Sequence, residues 1–147
     1  MSLALLRKVS LGVALSLWAL VSVSMASAAE VGAWGLTAEI PEGWSVHVDE
    51  QLVICDAAES SAVIVDRIAS DGNANAMSVA QGLAGALGIE EEVVARDGSG
   101  SPSFQFEQDG ERVSVRVLDG VSCVLMIYAF GEGQEVSRVA GSIAVAR

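Results

Sequence analysis

Few side chains here could carry chemistry, and their spacing limits what each could do. His47 is the only histidine. A nucleophile–base–acid triad would need it beside a serine and an orienting carboxylate; Asp49 and Glu50 follow it in the chain. Val46-His47-Val48-Asp49 alternates, however, so His47 is expected to point away from the apolar Trp44 face into solvent. Cys55 and Cys123 are the only cysteines. Without other soft ligands they make no metal centre. They are a candidate disulfide, weighed against two packed thiols behaving as small hydrophobes, because both lie in apolar runs. Spacing does not say whether their Cα atoms come within the roughly 7 Å a bridge needs. Asp71-x-Asn73-x-Asn75 opens like a calcium loop, but Ala76 occupies the glycine position and Gly82 the bidentate glutamate position. Helix capping accounts for the same residues. Glu90-Glu91-Glu92 reads as a solvated acidic loop, able to attract a divalent cation or a basic partner. There is no G-x-S-x-G elbow, H-E-x-x-H helix or phosphate loop. No catalytic, cofactor-binding or metal-binding residue is assigned, and a non-enzymatic chain without cofactor is expected.

The elements that must position these residues are legible from periodicity. Leu36 to Ile40 alternates as a strand and stops at Pro41, with Pro41-Glu42-Gly43 as turn chemistry. Trp44, Val46 and Val48 share one face of the next strand. Leu52–Ala57 and Ala62–Ile68 form a hairpin around residues 58–61, apolar enough for both faces to be covered. Ala76, Ala80, Leu83, Ala84 and Leu87 recur at helical spacing, closed by Gly88. Gly82 and Gly85 inside that helix are expected to permit a close approach to the sheet. Asp109-Gly110 and Asp119-Gly120 mark two tight turns of a meander. Two-residue turns would pair Phe106 with Val113, Phe104 with Val115 and Glu107 with Arg112. Across the second turn they would pair Val115 with Val124, Val113 with Met126 and Arg116 with Cys123. In that last position the guanidinium could lower the thiol pKa, although a packed or bridged cysteine is the preferred reading. Phe104, Phe106, Val113, Val115, Val117, Val124 and Met126 then share one surface. Val121–Phe130 reads as a central strand, and Val136, Val139, Ala140 and Ile143 as a short terminal helix.

The first thirty residues bear on location. Arg7 and Lys8 precede an uncharged apolar run from Val9 to Val23, which closes on Ser24-Met25-Ala26-Ser27-Ala28-Ala29. A basic flank, a short apolar stretch and an A-x-A exit mark a secretory signal peptide. Cleavage is expected between Ala28 and Ala29, making residues 1–28 the signal and residues 29–147 a single domain. Serines and a glycine dilute the run, which argues against an uncleaved anchor. A periplasmic or secreted product without stable membrane insertion is expected, and export would make a disulfide chemically accessible. The whole chain carries −11; six arginines and no lysine against nineteen acids leave −13 after residue 28. Such a charge repels polyanions, so nucleic acid is excluded as a partner.

The element order, with Ala38-Glu39-Ile40-Pro41-Glu42-Gly43-Trp44 after the first strand, resembles the PsbP-like fold. This family is named for an extrinsic photosystem II protein and includes a Ran-binding import factor and small bacterial exported proteins. The resemblance implies an α+β domain: an antiparallel sheet with helices packed on both faces, an α/β/α sandwich. It also implies a binding or accessory module, here expected to meet a protein partner in the cell envelope. The alternatives are a cation-responsive acidic protein taking calcium or zinc, and a secreted enzyme with a dispersed site. A deep polar cleft around His47 would favour the enzyme.

Overall fold

The computed structural model describes residues 28–31, 35–69, 75–89, 95–96, 100–131 and 133–145. The signal segment through residue 27, together with Asp71, Asn73 and Glu90-Glu91-Glu92, lies outside them. The described elements run β1 (Ala28–Val31), β2 (Leu36–Glu39), β3 (Ser45–Val48), β4 (Leu52–Cys55), β5 (Ala62–Ala69) and α1 (Ala76–Ala86). They continue with β6 (Ala95–Arg96), β7 (Pro102–Gln108), β8 (Glu111–Asp119), β9 (Cys123–Phe130), α2 (Gln134–Ser142) and β10 (Ala144–Val145).

Seven strands form an antiparallel sheet in the order β3-β4-β5-β9-β8-β7-β6, and β1-β2-β10 form a small second sheet. Helix α1 packs on one face of the large sheet. On the other face lie α2 and the small sheet. The fold is therefore α+β with helices on both faces of an antiparallel sheet. The expected cleavage pair, Ala28 and Ala29, forms the first two positions of β1, opposite Glu39 and Ala38.

Covering both faces makes two cores. On the α1 face, Ala76, Ala80 and Ala84 meet Phe104, Val113, Val115, Val117, Met126 and Phe130. On the other, Val136, Val139 and Ile143 join Leu36, Ile40, Trp44, Ile54, Val63 and Ile127; burying each such side chain contributes roughly 1.5–3 kcal/mol. All four residues of β4 are buried, as their unbroken apolarity requires. The Pro41–Trp44 turn closes through a Trp44 N–H to Pro41 carbonyl bond of 3.1 Å, with Gly43 at φ +86°. That positive φ is the third-position requirement of a type II turn.

Helix α1 begins and ends where its sequence says. The Asn75 side chain accepts from the Ser78 N–H at 2.9 Å, and the Ser78 hydroxyl accepts from the Asn75 N–H at 3.1 Å, a reciprocal capping box. At the other end the Gly88 N–H reaches the Gly85 carbonyl and the Ile89 N–H reaches that of Ala84. With Gly88 at φ +75° this is a Schellman stop. Gly82 and Gly85 do not do what their spacing suggests. Both are exposed, and a Cβ on either would meet nothing within 4 Å. The close approach belongs to the alanine stripe instead.

The first meander turn has the expected register: Phe106 opposite Val113, Phe104 opposite Val115, Glu107 opposite Arg112. The second does not. Val113 pairs with Phe130, Val115 with Tyr128 and Val117 with Met126, while Asp119 pairs with Val124. Residues 120–123 form a longer loop, closed by the Gly120 N–H on the Cys123 carbonyl at 2.9 Å, with Ser122 at φ +57°. The slip is four residues. Because side chains alternate with period two, an even slip keeps every residue on its expected face. Arg116 consequently lies opposite Ile127 rather than Cys123.

Candidate functional site

Helix α2 is fastened to its face of the sheet at both ends. The Trp44 indole N–H donates to the Glu135 carboxylate near the helix start, at 2.5 Å. Near the other end the Ser142 hydroxyl accepts from the Glu39 N–H at 2.8 Å and donates to the Val139 carbonyl at 2.7 Å. Arg116, on β8, sends its Nη2 to the carbonyls of Ala140 and Ile143, the latter at 2.8 Å. A guanidinium there satisfies carbonyls that the helix leaves open and complements its negative end.

These attachments hold α2 over β2, β9 and β5. Among the described residues, no helix therefore lies on the half of that face built by β7 and β8. A groove of about 480 Å³ lies along the boundary. Its floor consists of two cross-strand rows, Gln105–Ser114–Ala129 and Ser103–Arg116–Ile127. Its wall is the small-residue flank of α2, Ser137, Ala140 and Gly141. The groove thus presents hydroxyls, one amide and one guanidinium among short apolar side chains. Among the described residues, no histidine, cysteine, aspartate or glutamate lines it. Such a surface can hydrogen-bond and pack against a ligand, but its side chains supply no general base or thiol nucleophile.

The residues singled out for chemistry lie elsewhere. His47 is not in solvent: it is 3% exposed and faces the α1 side of the sheet, opposite Val53. The Val46–Asp49 alternation located its face correctly, but that face is covered as well. Burial pushes its pKa down, with a smaller opposing pull from Glu59. It lines neither this groove nor a second hollow of about 340 Å³ beside the start of α1. Cys55 is buried, and burial pushes its thiol pKa up. Cys123 is half-buried on the opposite side of the sheet. Both are free. Cys55 pairs with Ala62, whose β9 neighbour is Phe130, whereas Cys123 pairs with Ala69 at the far end of the same strands. Seven residues of strand, roughly 23 Å at 3.3 Å each, separate them, so the two thiols cannot bridge within one chain. Asn75 serves as the cap of α1. Among the described residues no group of three or more histidine, cysteine, aspartate or glutamate side chains is placed to hold a metal.

The groove had no motif in the sequence. Its signal was indirect: Ser103, Gln105, Ser114 and Arg116 are the polar alternates of two strands that read as half-solvated.

No family model matches the chain. No curated protein matches it either. Among solved structures it is similar to cyanobacterial PsbP from Synechocystis sp. PCC 6803, at 12% identity and a TM-score of 0.43, over 85% of this chain and 95% of that one. It is also similar to a crystal structure from Bacteroides thetaiotaomicron VPI-5482, at 12% identity and a TM-score of 0.47, over 80% of this chain. It spans 47% of that protein's length. A PsbP, the fold that the sequence resembles, is thus among its structural neighbours.

Proposed function

We propose that the chain is an exported, non-enzymatic binding or accessory domain that holds a segment of a protein partner in the groove between α2 and the β7–β8 half of the sheet. The observation that carries this reading is the groove itself: about 480 Å³ of concave, partly apolar surface with one cationic guanidinium. Pockets of this size and lining are the usual form of a preorganised binding site. The secretory pattern of residues 1–29 supports a partner in the periplasm or outside the cell. The net charge argues against nucleic acid. His47 sits in a filled sheet face rather than a polar cleft, which weighs against the dispersed-site enzyme.

The test is affinity capture from the envelope fraction with the wild type and with Gly141→Trp. Gly141 is exposed, and a Cβ there meets nothing within 4 Å, so the indole can occupy the groove without disturbing the core. Capture of one protein by the wild type, lost in Gly141→Trp at unchanged melting temperature, is the expected result. Equal capture by both would place the interaction elsewhere.

A further inference from the structure

His47 and Cys55 share one face of the β3–β4 pair, in successive positions of the register: Ser45 opposite Cys55, His47 opposite Val53. Diagonal neighbours of this kind have Cα atoms about 7–8 Å apart, a gap that long or aromatic side chains span. Both residues are enclosed, at 3% and 2% exposure. The Ser45 hydroxyl lies 3.5 Å from the Cys55 sulfur. Neither Nδ1 nor Nε2 of His47 has a hydrogen-bond partner among the described residues. A buried neutral imidazole in that position strands one donor and one acceptor, each stripped of water without a replacement hydrogen bond. The acceptor nitrogen is also a metal ligand, and it lies on the same sheet face as the Cys55 thiol, one diagonal position away.

We propose that His47 and Cys55 form a buried two-donor site for a soft monovalent d¹⁰ cation of the Cu(I) type. Loading forms an S–metal and an N–metal bond and releases the thiol proton to solvent, so thiolate, neutral imidazole and a monovalent cation sum to zero. Coordination selects the ion. Zinc takes four protein ligands in a structural site and calcium six to eight oxygens, whereas thiolate and imidazole suit soft ions that accept few donors. The Ser45 hydroxyl can donate to the resulting thiolate. Entry is available because β3 is a four-residue strand that, among the described residues, lies at the sheet edge and pairs with β4 alone, the kind of element that opens locally at low cost.

The site is tested by anaerobic titration of the purified, reduced protein with Cu(I) against a chromogenic Cu(I) chelator. One ion per chain is expected in the wild type and in Cys123→Ser, with uptake falling to the chelator-only baseline in Cys55→Ser and His47→Leu. Wild-type uptake at that baseline, or uptake abolished by Cys123→Ser but kept by Cys55→Ser, overturns the proposal. Should either core variant fold poorly, the wild type alone decides. His47 is the only histidine, so its imidazole ¹⁵N resonances must shift when Ag(I), a diamagnetic stand-in, is added; unmoved resonances refute the site. Neither readout involves the groove, so this result and the partner-capture result are independent.

Discussion

Asp119, the last residue of β8, accepts a hydrogen bond from the backbone N–H of Ala76, the first residue of α1, at 2.8 Å. The bond joins positions forty-three residues apart and anchors the start of the helix to the end of the meander. It uses one of the N–H groups that a helix leaves open at its start, and it places a carboxylate at the helix's positive end. Asp119→Ala should therefore cost about 1–2 kcal/mol in urea denaturation. Asp119→Asn keeps an acceptor oxygen and should cost less. Equal stability of Asp119→Ala and wild type would show that the bond contributes nothing in solution.

Gly82 and Gly85 offer the opposite change. Both are exposed within α1, and both have room for a methyl group. Each replacement by alanine should stabilise the protein by about 1 kcal/mol. Gly88→Ala should destabilise by about 1–2 kcal/mol, because φ +75° forces an L-residue into the left-handed region. Denaturation midpoints moving in these opposite directions are the check.

The buried imidazole makes stability depend on pH. Its folded pKa lies below the ordinary value near 6.5 because burial penalises the charged form. The unfolded chain therefore binds the proton first. The stabilisation is fully present above about pH 6.5, declines as pH falls from there to the folded pKa, and changes no further below it. In His47→Leu this part of the pH profile should be flat. At neutral pH that variant should lie within about 1 kcal/mol of wild type or above it, since it removes two unpaired polar atoms. Parallel wild-type and His47→Leu profiles between pH 7 and 5 would refute the assignment.

The thiols should differ in reactivity. Cys55 is buried with its pKa pushed up, while Cys123 is half-buried beside the β8–β9 loop. Reactivity follows exposure and thiolate fraction, so a maleimide should label Cys123 well before Cys55 under native conditions. A reductant should leave the melting temperature unchanged. A mass lower by two hydrogens in the non-reduced monomer would reveal an intrachain bridge and contradict the sheet register.

Legibility varied with the range of the forces involved. Asn75 and Gly88 delimit α1 through contacts within a few residues, so their types alone place its ends. The faces of β7, β8 and β9 follow from alternation, and they survive a four-residue slip in register because four is even. The slip itself was not legible. Asp119-Gly120 has the composition of a two-residue turn, but Asp119 is engaged by α1, and the chain reverses through residues 120–123 instead.

What the sequence by itself determined was therefore local and periodic: caps, turns, which side chains share a face, and the strong negative charge. The tertiary structure decided what covers each face. His47 alternates like a solvent-facing residue and is enclosed, because this sheet is covered on both sides. Gly82 and Gly85 fall within a packed helix yet face outward. Ser103, Gln105, Ser114 and Arg116 are ordinary polar alternates until α2, held by Trp44, Glu39 and Arg116, stops short of them and makes a groove. Periodicity is a property of one strand or one helix, whereas burial depends on a second element brought there by contacts about a hundred residues away in the chain.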